Sequence, residues 1–184
     1  MKAIGVFGIA VLAMGALAGC ATSARSRQAR YPLSGGEGYY RVSERVLTGR
    51  EGVTRTYSTQ FHRSSGFFTS KTLSVRKTVS AGQSTYAIVV DLVGPEESAI
   101  RRLTVRVDEE FYHLLDPHPR RTRVPLGHLR VSEQYVFRLN PALVGRLGSA
   151  GRVQFRSAEG IVNLRPRQQD MLQSHLREDF LGGR

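Results

Sequence analysis

Residues 85–93 read Thr-Tyr-Ala-Ile-Val-Val-Asp-Leu-Val, a short apolar run bounded by Gly82 on one side and Gly94-Pro95 on the other. Such a run predicts a central β-strand with both faces covered. A chain that contains one central strand must supply neighbours for it, and the flanking sequence does. Residues 102–108 place Leu103, Val105 and Val107 on one face and Arg102, Thr104 and Arg106 on the other, the cleanest alternation in the chain. Residues 39–47, 53–63 and 67–78 are rich in Thr, Tyr, Phe, Val and Ser, with turns expected at Ser64-Ser65-Gly66 and Ser80-Ala81-Gly82-Gln83.

The same pattern continues towards the C-terminus. Residues 110–115 form a further candidate strand, with Phe111, His113 and Leu115 expected on its apolar side. The prolines of Asp116-Pro117-His118-Pro119 interrupt the sheet, because proline cannot donate to a ladder. Arg120-Arg121-Thr122-Arg123 then reads as a basic turn. Strands follow over 124–131 and 134–139, with Ser132-Glu133 between them, and over 152–156 and 161–164.

Asn140-Pro141 is a helix-start signal, opening a short helix over 142–147 that Gly148 ends. Residues 166–181 place Leu172, Leu176 and Phe180 on one stripe, an amphipathic helix packed on the body. Strands that follow one another without alternating helices exclude a parallel α/β architecture. The expectation is a mainly β fold: an antiparallel β-sandwich or partly open barrel of about eight to nine strands, with a C-terminal amphipathic helix.

The N-terminus has a different character. Lys2 precedes an uncharged apolar or glycine stretch over 3–18, shorter than the ~20 residues a membrane-spanning helix needs. That length fits the apolar core of a signal peptide. It ends in Leu17-Ala18-Gly19-Cys20, which resembles a lipobox, the processing site of bacterial lipoproteins. The resemblance covers residues 1–20. It implies cleavage before Cys20, lipidation of Cys20 with acyl chains such as palmitate, and anchorage in the cell envelope, facing the periplasm or the outside. A lipoprotein carries at least two acyl chains, enough for stable anchoring. Ala21 stands where Asp would signal inner-membrane retention, so the resemblance leans to the outer membrane. The domain expectation is a cleaved leader over 1–19, a lipidated Cys20 with a flexible basic tether over 20–38, and one β-rich domain over 39–184 whose terminal helix spans 166–181.

Charge supplies the strongest functional signal. There are 27 Lys and Arg against 15 Asp and Glu, a net charge of +12, and only Lys2, Lys71 and Lys77 are lysines. A guanidinium suits bidentate contact with phosphate or carboxylate. Arg120, Arg121 and Arg123 are the first-choice anion-binding residues and Arg101 and Arg102 further candidates; Arg165, Arg167, Arg106 and Arg138 could join them. Anionic lipid, lipopolysaccharide or an envelope protein fits that surface, and export makes nucleic acid an excluded partner.

Catalytic signals are sparse. Cys20 is the only cysteine, so intramolecular disulfides and thiolate metal clusters are excluded from the folded domain. No Gly-x-Ser-x-Gly elbow and no phosphate-cradling glycine loop is present. His113, Asp116 and His118 have metal-ligand chemistry at close spacing, the basis of an alternative reading as a metal-dependent envelope hydrolase. The expected function is instead a membrane-anchored, non-catalytic binding or structural module that needs no cofactor.

Overall fold

The computed structural model describes residues 23–33, 38–49, 52–66, 69–95, 97–98, 100–115, 120–126 and 128–178; within 121–130 only the backbone and the exposed Thr122 side chain are described. Eleven strands and two helices are described: β1 (Ser23–Pro32), β2 (Tyr39–Gly49), β3 (Gly52–Ser65), β4 (Ser70–Ser80), β5 (Gln83–Gly94), β6 (Arg102–Val107), β7 (Glu110–Leu115), β8 (Arg120–Leu126), β9 (His128–Leu139), α1 (Pro141–Ser149), β10 (Val153–Ser157), β11 (Gly160–Asn163) and α2 (Pro166–Arg177). They build two antiparallel sheets and no closed barrel. Sheet A has seven strands in the order β1-β2-β3-β4-β5-β9-β8, and sheet B has four in the order β11-β10-β6-β7.

β5 is the central strand its composition predicts. It pairs with β4 along one edge and β9 along the other, and Ala87, Ile88, Val89 and Val90 are all buried. Its inner face joins Leu73 and Val75 of β4 and Tyr135 and Phe137 of β9. Sheet B lays Leu103, Val105, Val153 and Phe155 over them. Phe61 and Phe155 meet across the two sheets with ring centroids 5.6 Å apart. α2 packs on β3, β4 and α1, burying Leu172 and Leu176. Met171 of α2 touches both this core and a second cluster of Leu33, Tyr40, Val42, Tyr57 and Val79.

Several elements depart from the sequence expectation. The tether expected to be flexible contains β1, paired with β2 from Ser23↔Thr48 to Pro32↔Tyr39. An edge strand needs few apolar residues, because its backbone bonds and a few cross-strand contacts hold it. Here Arg27 donates to the buried Glu44 carboxylate, and Tyr31 packs against Tyr40. The basic turn expected at Arg120-Arg121-Thr122-Arg123 is the start of β8, and the turn expected at Ser132-Glu133 lies inside β9. Glu133 is buried on the same face as Tyr135, Phe137 and Leu139, so the strand period runs unbroken through a charged residue.

β7 also faces the other way from expectation. Tyr112 and Leu114 pack on the core, opposite Val105 and Leu103, which leaves Phe111, His113 and Leu115 outside. Both faces of β7 are apolar, so its own alternation could not choose between them. In α1, Asn140 Oδ1 accepts from the Leu143 amide at 2.7 Å, as the helix-start signal requires. Gly148 is helical and buried, not terminal. α2 ends at Arg177, and Phe180 and Leu181 lie outside the described residues.

Candidate anion-binding face

The outer face of sheet B is formed by the residues whose neighbours fill the core. Because side chains alternate, burying Leu103, Val105 and Val107 obliges Arg102, Thr104 and Arg106 to face outward. The same rule turns Gln154 and Arg156 outward on β10. Strand register then aligns these residues in rows. One row runs Ile161, Arg156, Thr104, His113; the next runs Asn163, Gln154, Arg106, Phe111; Arg102 stands opposite Leu115.

The result is a basic and apolar surface. Arg101, Arg102 and Arg156 are exposed and surround, with Arg106, a depression of about 550 Å³. Phe111 is 60% exposed, Leu115 71% and Ile161 54%. Arg106 lies over the Phe111 ring at 5.4 Å, pairs with Glu109 at 2.8 Å and donates from Nε to the Asp108 carbonyl at 2.9 Å. Its guanidinium is therefore held over the face of the Phe111 ring and already shared with Glu109. Arginines and exposed apolar groups on one face suit an anion that carries an apolar part, such as a lipid headgroup region.

This face unites Arg101 and Arg102 with Arg156 and Phe111, which sequence reasoning did not select as site residues. The signal for Arg156 was available: Val153 and Phe155 alternate with Gln154 and Arg156. Arg120 belongs elsewhere. It is exposed on β8 opposite Gln134, at the far edge of sheet A. Arg121 and Arg123 occupy β8 through their backbone, opposite Glu133 and Val131. The five arginines therefore divide between two sheets.

The other expected residues have different places. His113 is exposed, with Nδ1 3.0 Å from Thr104 Oγ1. Asp116, His118 and Cys20 lie outside the described residues. Among the described residues no group of three or more His, Cys, Asp or Glu converges as a metal site, and no helix is long and apolar enough to cross a membrane.

A second polar cluster closes one end of the fold. The Ser98 amide donates to Glu133 at 2.6 Å, the Ser98 carbonyl accepts from Tyr135 Oη at 2.6 Å, and Ser98 Oγ bonds Glu159. Lys71 reaches Ser157 Oγ at 3.4 Å, and burial holds its amine below the usual lysine range. These bonds fasten the β5–β6 connection to β9 and to the β10–β11 turn, so the cluster has a clear structural task. Compared with protein-family models, with curated proteins and with solved structures, the chain matches none of them.

Proposed function

We propose that this protein is a lipid-anchored envelope protein, held through Cys20, whose β domain binds an anionic envelope component through the outer face of sheet B. The observation that carries the reading is the coincidence of Arg101, Arg102, Arg106 and Arg156 with exposed Phe111, Leu115 and Ile161 on one sheet face. The leader ending in Leu17-Ala18-Gly19-Cys20 and the net charge of +12 support it independently. An outer-membrane anchor would hold such a face within reach of anionic lipid or lipopolysaccharide. Attraction to these surfaces follows from charge, and the apolar residues give a reason for the contact to persist.

The test is sedimentation of the domain with vesicles containing phosphatidylglycerol, or with lipopolysaccharide, over a range of salt. Replacing Arg102, Arg106 and Arg156 together by Gln should weaken binding about tenfold or more and flatten its salt dependence. Equal binding by the variant would remove the face assignment. Mass spectrometry of the mature N-terminus checks the anchor: the expected species starts at an acylated Cys20, and an unmodified thiol there contradicts it.

A further inference from the structure

The outer face of sheet A carries a second arrangement of arginines, away from the face proposed above. Cross-strand register places Arg76 of β4, Ala87 of β5 and Arg138 of β9 in one row. Neighbouring strands are ~4.8 Å apart, so the two arginine stems rise about 10 Å from each other with only a methyl group between them. They stand over a groove of about 590 Å³ that runs from this row towards α1. Leu139, Pro141 and Val144 line its α1 end beside the polar Thr78, Ser84 and Thr85, and Val136 lies on the other side of the arginine row.

Arg76 is the unusual member. Its Nε is buried and has no hydrogen-bond partner among the described residues. Burial pushes its guanidinium below the usual arginine range, with Asp91 opposing that shift and Arg120 adding to it. Asp91 already accepts from Gln134 Nε2 at 2.8 Å. A half-buried guanidinium that has lost hydration gains from an anion held against the part of it that lines the groove.

The geometry points to a binding site for a single-chain anionic amphiphile of the fatty-carboxylate class, its head between Arg76 and Arg138 and its chain along Leu139, Pro141 and Val144 towards α1. Charge and volume agree: two guanidiniums stand over the groove, Leu139, Pro141 and Val144 offer apolar contact towards α1, and about 590 Å³ is within the range of small-molecule sites. The site does not depend on the anchor or on the sheet B face.

Calorimetric titration of the folded domain with dodecanoate, below the concentration at which it forms micelles, tests this directly. The expected result is saturable binding of one dodecanoate per chain. Acetate, which offers the head alone, and octyl glucoside, which offers a neutral head, should not saturate the site. Arg138→Gln alters an exposed residue and should weaken binding about tenfold or more while leaving the fold intact. Arg76→Gln should do the same, and Val144→Gln should weaken dodecanoate through its chain. The triple Gln variant of sheet B should bind dodecanoate like the parent. Absence of saturable binding by the parent, unchanged binding by Arg138→Gln, or loss of binding in the sheet B variant would each overturn the proposal.

Discussion

His175 is fully buried in α2, with its Nδ1 2.8 Å from Thr59 Oγ1 of β3. Burial first, and the Lys77 charge second, push its pKa down to about 3. The folded protein therefore keeps this ring neutral where the unfolded chain protonates it near 6.5. Stability from this site is complete above that value and is lost as pH falls from about 6.5 towards 3, because the unfolded state then binds the extra proton. The effect is on the order of a few kcal/mol. Urea unfolding at pH 7 and pH 5 should show a lower midpoint at pH 5, and His175→Gln, less stable at pH 7, should show a flatter dependence. A second residue-scale prediction concerns the β4–β5 turn. Ala81 has φ 49° and Gly82 φ 76°, the left-handed pair of a tight hairpin. Alanine is strained there, so Ala81→Asn should raise stability by up to about 1 kcal/mol in urea unfolding. The turn was legible from Ser80-Ala81-Gly82-Gln83. The burial of His175 was partly legible, since it lies three residues after Leu172 on the apolar stripe of α2, but its partner Thr59 belongs to a strand far away in the chain.

At the scale of elements, β1 and α2 complete the β1–β4 side of sheet A in different ways, one as its edge strand and the other packed on its core face. β1 relies on backbone pairing and on Arg27, which with Arg55 (3.7 Å away) brackets the buried Glu44. Glu44→Ala removes the carboxylate both arginines address. Amide exchange across residues 23–32 should then quicken relative to β5, and equal protection would show that backbone pairing alone holds the strand. α2 relies on burial. Leu172 is fully enclosed, so Leu172→Ala should cost about 2–5 kcal/mol in denaturant unfolding. The apolar stripe of α2 was readable because helical spacing and burial coincide. β1 was not, because an edge strand rich in arginine and serine looks like a linker until β2 lies beside it. β7 shows a third case: two apolar faces and no local signal to choose the inner one.

Across the whole molecule, positive charge is divided between the outer faces of two sheets that share one core. This division makes the functions of the arginines separable. The sheet B triple variant should bind vesicles about tenfold more weakly while losing only about 1 kcal/mol of stability, since Arg102 and Arg156 are exposed and only the half-buried Arg106 gives up contacts, with Glu109, the Asp108 carbonyl and Phe111. A large drop in stability would instead make these arginines part of the fold. Sequence by itself determined the antiparallel β character, the central place of residues 85–93, both helix starts and the outward turn of Arg102 and Arg106. Each of these follows from local period, from a cap, or from a run too apolar to leave in water. Tertiary structure alone decided that residues 23–32 form a strand, which side of β7 is exposed, and that Arg101, Arg102 and Arg156 meet while Arg120 stands apart. Those outcomes depend on register between strands far apart in the chain, and register is set only when the two sheets close over a common core.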